Sequence, residues 1–472
     1  MRIGMSGTGW ITWAGRAGNT IRMTGTQPAR GTRDFLPDDI RRREHVISIV
    51  RDVYQRYGFD PLETPAFENI ETLQGKYGEE GNKLIFKILK RGEHEHTGEA
   101  DLALRYDLTV PLARVVAQYQ NELPRLFKRY QIQPVWRADR PARGRFREFY
   151  QCDLDAMGSS SPVVEAEILG AVSDILSTLG FDDFVVRLNH RGVLTALLET
   201  AGVPAAQHAD ALVALDKLDK IGADGVAKEF AARGIVEAAA AKALTYFAAG
   251  DATLPAAALA RLEDALGGHP AVANLADIVK LAESTAAAGR IRIDPSLARG
   301  LSYYTGAIME IAVEGIGSLG GGGRYDNLIG MFLGRDVPAC GFSLGLERII
   351  VVMSERAMFP ASVTGGSVDV VVTFMDDDSR PEALRLATAL RTEKRRVDVF
   401  PEAGRKFDKP LKYATARGAR AMAIFGENER ARGEVSIRDL QTREQQAVPS
   451  DDAVSFITRL LNPEPRTENR EP

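Results

Sequence analysis

Residues 126–137 and 146–157 read as two long strands joined by a loop crowded with positive charge. That pair constrains the fold more than any other feature of the chain. Arg125, Lys128, Arg129, Arg137, Arg140, Arg143, Arg145 and Arg147 stand here against only Asp139 and Glu148. A guanidinium presents a planar fork that pairs bidentately with phosphate, so such a loop suits a polyphosphate or a nucleic-acid backbone. A solvated basic loop is the plainer alternative. Local patches matter because the whole chain is nearly neutral. It has 60 Lys+Arg and 64 Asp+Glu, a net charge of -4 over 472 residues. Any nucleic acid would therefore be met by such a patch and not by a general basic surface.

The surrounding pattern is that of a soluble protein of several domains. A helix is expected within residues 30–57, capped by Asp38 or Asp39 and ended by Gly58. Phe59–Pro65 reads as an edge or interface strand, and residues 83–90 and 102–106 as further strands. A helix starts at Thr109 with Pro111 in its first turn, and another covers 162–180. An alanine-rich helical insertion occupies about residues 195–290. Strand patterning resumes near Ile291, and a helix begins near Leu344. After a linker at Thr364–Ser367, residues 368–462 follow a β-α-β pattern and form a small separate α/β domain. Residues 1–22 read as a disordered extension or a misassigned start, and the polar tail 463–472 as disordered.

Several chemistries are excluded early. Cys152 and Cys340 are the only cysteines, too few for a disulfide framework or a multi-cysteine metal site. His94 and His96 are the only close histidine pair, and their charged surroundings read as a solvated turn. No apolar run approaches the ~20 residues that span a bilayer, and no secretory signal is recognisable. A cytoplasmic protein with no membrane contact is expected.

Three more segments carry chemistry. Arg299-Gly-Leu-Ser-Tyr-Tyr-Thr-Gly306 places Tyr303 and Tyr304 side by side. On a strand they would point to opposite faces, one packing and one offering its hydroxyl to a ligand. Gly320-Gly-Gly-Gly-Arg-Tyr-Asp-Asn327 permits close backbone approach but is not a P-loop. Gly341-Phe-Ser-Leu-Gly345-Leu-Glu-Arg348 runs a small-residue strand into a helix, leaving Arg348 to meet a phosphate or stack on a base. Together these suggest a nucleoside triphosphate site built without a P-loop.

At this point the residues resemble the histidyl-tRNA synthetases, within the class II aminoacyl-tRNA synthetases. Gly58–Pro65 is similar to the class's first motif, a dimer-interface strand. Trp136-Arg137-Ala-Asp139 with Arg147-Glu-Phe149 resembles the second, and Gly341 to Arg348 the third. Arg30-Gly-Thr-Arg-Asp-Phe-Leu-Pro37, Leu104-Arg-Tyr-Asp-Leu-Thr109 and Arg299–Thr305 resemble segments specific to the histidine enzymes. The resemblance covers about residues 28–460.

It implies an α+β fold. An antiparallel sheet flanked by helices would form a catalytic domain over 23–362, carrying the helical insertion. A mixed α/β anticodon-binding domain would follow over 368–462. It implies a homodimer, the substrates L-histidine, ATP and tRNA(His), and Mg²⁺ carried by ATP with no metal held by the protein. Arg137 would bind the ATP α-phosphate, Arg145 the β- and γ-phosphates, and Arg348 the adenine and γ-phosphate. Asp139, where the family usually has Glu, would lie toward adenine or the tRNA end. Arg299 would face the α-phosphate and the histidine carboxylate, so Arg137 and Arg299 are the catalytic candidates. Asp107, Thr109 and Gln151 would hold the α-amino group, Asp155 and Tyr304 the imidazole nitrogens, with Tyr303 nearby. Ser302 departs from the usual Asp of its segment.

The implied reaction is histidine plus ATP giving histidyl-adenylate and pyrophosphate, then transfer to the 3′ end of tRNA(His). Residues 380–420 hold 12 Lys+Arg against 5 Asp+Glu, interleaved with aromatics around Arg405–Tyr413, which suits unstacked RNA bases. The alternative is a non-charging paralogue that binds histidine as a regulatory subunit of ATP phosphoribosyltransferase.

Overall fold

A computed structural model describes residues 25–462, apart from 95, 143, 248–253, 299–302 and 404–406. The expectations for residues 1–22 and 463–472 lie outside the described residues. The first eleven strands are β1 (Asp60–Pro61), β2 (Phe67–Asn69), β3 (Lys87–Leu89), β4 (Ala100–Leu104), β5 (Phe127–Trp136), β6 (Glu148–Met157), β7 (Phe184–His190), β8 (Ile291–Ile293), β9 (Ala307–Val313), β10 (Gly317–Arg324) and β11 (Ala339–Gly345).

Eight of them form one sheet in the order β1-β5-β6-β11-β10-β9-β7-β8. The long pair β5 and β6 is antiparallel, in register from Phe127 opposite Met157 to Trp136 opposite Glu148. The six central strands are antiparallel, while β1 and β8 join at the edges in parallel. The sheet is therefore the expected antiparallel one, with a parallel strand added at each edge. β2, β4 and β3 make a separate three-stranded sheet.

Alternation along β6 sets inside from outside. Cys152, Leu154 and Ala156 enter the hydrophobic core, and helices Pro37–Arg56 and Val163–Thr178 bury apolar residues in the same core. Val46, Val50, Val53 and Tyr54 of the first helix are fully buried, about 1.5–3 kcal/mol apiece for an aliphatic side chain. The Tyr54 hydroxyl donates to the Cys152 carbonyl at 2.8 Å, so its polar tip is satisfied inside the core.

Arg105 ties the edge to the centre. Its buried guanidinium donates to the carbonyls of Thr64 (2.6 Å), Pro65 (3.1 Å) and Pro134 (2.9 Å) and to Gln133 Oε1 (2.9 Å). The segment after β1 is thus clamped to β5.

Several local expectations change. The first helix starts at Pro37, so Asp38 and Asp39 lie in its first turn and Leu36 is the N-cap. Proline suits that position because its missing N–H would find no partner there, and carboxylates favour the positive end of the helix. Asp39 still reaches back to accept from the Leu36 N–H at 3.4 Å. Residues 78–83 are helical, and only Lys87–Leu89 forms a strand. The helical region begins at Arg191, directly after β7, and runs to Ala282. Its last helix, Pro270–Ala282, packs on helix Val163–Thr178 and on β7. Arg187 of β7 pairs with Asp219 of this region (3.1 Å) and with Glu310 of β9 (3.0 Å).

The remaining strands are β12 (Val370–Phe374), β13 (Val397–Val399), β14 (Ala421–Phe425), β15 (Glu434–Asp439) and β16 (Gln445–Pro449). They form a mixed sheet ordered β13-β12-β14-β15-β16, its first three strands parallel. Val370, Val372 and Phe374 face one apolar cluster, and Val371 faces another. Burial on both sides explains why this strand reads as a continuous apolar run. No described helix is long and apolar enough to cross a membrane.

Candidate active site

Phe149, Gln151, Asp153 and Asp155 of β6 face a cleft of about 430 Å³. Gln151, Asp153 and Asp155 line its floor, joined by Ser343 of β11 and by the glycines of β10. Those glycines are required by space. A Cβ on Gly341 would lie 1.9 Å from Asp155 Oδ1, and one on Gly323 would lie 2.8 Å from Tyr304 Cδ1. The third and fourth sequence segments thus clear room for side chains from neighbouring elements.

The carboxylates Asp107, Asp153 and Asp155 of the cleft are deeply buried. Asp155 lies 2.9 Å from Arg129 Nη2 and accepts from the Tyr325 hydroxyl. Burial raises its pKa, while Arg129 and that hydrogen bond oppose the shift. Asp107 precedes helix Thr109–Gln118 and accepts from the Val110 N–H and the Tyr77 hydroxyl, both at 3.0 Å. Its other oxygen is buried without a hydrogen-bond partner among the described residues, and burial raises its pKa too. Gln151 donates to the Ser343 hydroxyl at 2.9 Å, and its own carbonyl oxygen has no hydrogen-bond partner among the described residues. Such acceptors, stripped of water, suit a ligand rich in N–H donors.

Tyr303 and Tyr304 do not sit on a strand. They occupy the turn before β9, and both line the cleft, with ring centroids 5.1 Å apart. The opposite-face expectation therefore fails, because the alternation it relies on begins only at Ala307. Thr109 lines the cleft beside them.

The same cleft carries cations. Arg137 donates through Nε to the Tyr106 carbonyl at 3.0 Å, its guanidinium 4.3 Å from the Tyr106 ring and 5.2 Å from that of Phe149. Arg145 pairs with Asp139 at 2.9 Å. Arg348 leaves its neighbour Glu347 alone and donates to the Ser318 carbonyl. Glu347 instead accepts from the Tyr150 N–H at 3.1 Å, joining the third motif to β6. The opening segment wraps this region, since the Arg147 N–H donates to the Gly31 carbonyl at 2.7 Å. Gly31 has φ +87, and a Cβ there would strike the Arg147 side chain at 2.7 Å.

Arg299 and Ser302 lie outside the described residues. The cleft brings together Asp107, Thr109, Arg137, Asp139, Arg145, Gln151, Asp155, Tyr303, Tyr304 and Arg348. The sequence reading gives no individual role to Asp153, Ser343 or Tyr325, and it counts Arg129 in the basic patch, whereas that side chain is buried against Asp155. Alternation was the available signal: if Gln151 and Asp155 face one side of a strand, Asp153 does too.

In region 380–420 much of the basic excess is paired within its own domain. Arg396 meets Asp369 (2.6 Å), Arg417 meets Asp398 (3.3 Å) and Arg420 meets Asp439 (2.7 Å). Lys409 and Lys412 have no ion pair among the described residues, and the Phe400 and Tyr413 rings are 5.3 Å apart nearby. Arg405 lies outside the described residues.

Comparison with known proteins agrees with this geometry. The family described as Histidyl-tRNA synthetase matches residues 31–349, and that described as Anticodon binding domain matches 368–460. A histidine–tRNA ligase of Gloeobacter violaceus is 42% identical over 459 residues, covering 91% of this chain and 98% of its own. One of Porphyromonas gingivalis is 40% identical, covering 92% and 98%. A crystal structure of histidyl-tRNA synthetase from Nostoc sp. PCC 7120 superposes with a TM-score of 0.77 at 31% identity, covering 92% of this chain and 99% of that one. With two family matches spanning most of its length and relatives this similar over about nine-tenths of it, the chain belongs to the histidyl-tRNA synthetase family.

Proposed function

We propose that this protein is a histidine–tRNA ligase. It activates L-histidine with ATP, releasing pyrophosphate, and passes the histidyl group to the 3′ end of tRNA(His). The observation that carries this reading is one cleft with two chemistries. Buried acceptors at Asp107 and Gln151 line the same cleft as the guanidinium groups of Arg137, Arg145 and Arg348.

The histidine carboxylate is already a nucleophile, so no Ser, Cys or Lys nucleophile is needed. An oxygen of that carboxylate bonds to the α-phosphorus as the bond to pyrophosphate breaks. The protein's task is alignment and neutralisation of charge. In this reading Arg137 takes the α-phosphate, Arg145 the β- and γ-phosphates, and Arg348 the adenine and γ-phosphate. Asp139 is held by Arg145 and would exchange that partner as the nucleotide arrives. Arg299 would complete the charge around the α-phosphate and the substrate carboxylate. Mg²⁺ would enter with ATP as the counterion of its phosphates.

Asp107, Thr109 and Gln151 would hold the α-ammonium, with Asp155 and Tyr304 on the ring nitrogens and Tyr303 beside them. A site built to bond ring nitrogens rejects analogues that lack them by roughly 10⁴–10⁵, which makes editing unnecessary. Residues 23–362 would form the catalytic domain, with the insertion over about 195–290, and residues 368–462 would read the anticodon. A homodimer through the Gly58–Pro65 segment and a cytoplasmic setting complete the proposal. The test is charging of tRNA(His) with labelled L-histidine. Histidine-specific charging supports the reading, and adenylate formation without charging contradicts it.

A further inference from the structure

Asp153 has no role in the assignments above, yet it stands at the centre of the cleft floor. It lies between Gln151 and Asp155 on the same face of β6. It pairs across the sheet with Gln131 of β5 and Ser343 of β11. The Ser343 hydroxyl accepts from Gln151 at 2.9 Å and lies near enough to Asp153 to favour its ionised form. Gln151, Ser343 and Asp153 thus stand together on the cleft floor. Asp153 Oδ1 is buried with no hydrogen-bond partner among the described residues. A carboxylate oxygen left so in a packed core would be expensive. Here it borders an open cavity, so a ligand can satisfy it.

We infer that Asp153 is a further histidine-binding residue, accepting an N–H of the bound amino acid through Oδ1, with Ser343 as its positioning residue. This rests on the reading of the cleft as a histidine site. Histidine carries three α-ammonium N–H groups and at least one ring N–H. The unpartnered oxygens of Asp107, Gln151 and Asp153 give the floor a matching set of acceptors.

The contact depends on pH. Burial pushes the Asp153 carboxyl up to about 7, with Arg129 opposing and Asp155 and Asp107 reinforcing. Arg105 adds a more distant positive charge. The Tyr54 phenol and Cys152 thiol, also near, are held protonated by their own burial. Above pH 7 the carboxylate is ionised and accepts strongly. As pH falls through 7 it takes a proton, and its contribution to histidine affinity is lost.

The test is calorimetric binding of L-histidine alone to the full-length wild type and to Asp153→Asn, at pH 5.5 and 8.5. Asn keeps the shape and the Ser343 contact but cannot ionise. Comparing two proteins at one pH cancels the ligand's own titration. The variant should bind about 10–100-fold more weakly at pH 8.5, the range for a hydrogen bond to a charged group, and within about threefold at pH 5.5. Ser343→Ala should weaken binding in the same direction by a smaller factor. Equal affinity of wild type and Asp153→Asn at both pH values overturns the inference. So does an equal weakening at both, which marks a purely structural role. Because ATP is absent, the Asp153 ratio is judged on binding alone; the proposed reaction is judged separately by pyrophosphate exchange, where wild-type protein that binds histidine but forms no adenylate would contradict it.

Discussion

At the scale of single residues, the site depends on what small side chains leave open. Asp155 is fully buried between Arg129 and Tyr325, and Gly341 across the sheet gives it room. Replacing Asp155 with Asn keeps the volume but removes the charge opposite Arg129. The expected result is a histidine KM raised about 10–100-fold with the ATP KM changed less than about threefold. Steady-state pyrophosphate exchange reads both, and equal rises would contradict an imidazole contact. Gly341→Ala should do similar damage by a different route. Its Cβ would sit 1.9 Å from Asp155 Oδ1, so the carboxylate must move. Overpacking of this kind costs about 1–3 kcal/mol, visible as a lower melting temperature beside the raised histidine KM. The motif residues were readable in the sequence because their types and spacing are distinctive. Asp153 was passed over because a residue's facing direction follows from the strand and not from its neighbours in a motif. Tyr303 and Tyr304 were misplaced for the converse reason: alternation was applied to a turn.

At the scale of elements, length decided what could be read. β5, β6 and the helix at Pro37–Arg56 span enough residues to show their period. β3 has three residues and cannot show one, and β7 was missed although it positions the helical region. The junction after β7 yields a prediction of its own. His190 caps helix Arg191–Ala201, accepting from the Gly192 N–H at 2.9 Å through Nδ1. Burial, with His269 and Arg324 adding, lowers its pKa to about 4. The folded state thus holds the imidazole neutral, while the unfolded chain protonates it below about 6.5. Between those values the unfolded state binds more protons, so stability falls as pH drops from about 6.5 to 4, by up to about 3 kcal/mol. Asn also caps helices well and does not titrate here. Between pH 7 and 4.5 the wild-type melting temperature should therefore fall further than that of His190→Asn. Parallel falls would show that His190 contributes no pH dependence.

At the scale of the whole molecule, two sheets with separate apolar cores divide the proposed work. The clusters around β12 to β16 share no buried residue with the core of the eight-stranded sheet. Deleting residues 366–472 is expected to spare adenylate formation and reduce kcat/KM for tRNA by at least about 10², since base stacking and phosphate contacts would be lost together. Near-normal charging by the truncated protein would contradict an anticodon role. The β-α-β pattern of this region was legible because its first strand is buried on both faces. Its charge was less legible: composition counts cations without showing that Arg396, Arg417 and Arg420 are paired internally. Lys409 and Lys412 are the better candidates for RNA contact.

All three scales converge on one claim, that the cleft joins histidine to ATP. ATP–pyrophosphate exchange with each of the twenty amino acids, without tRNA, tests it most directly. Exchange with histidine alone is the predicted result. Exchange with another amino acid would contradict the roles of Asp155 and Tyr304, and no exchange with any would contradict the proposed chemistry.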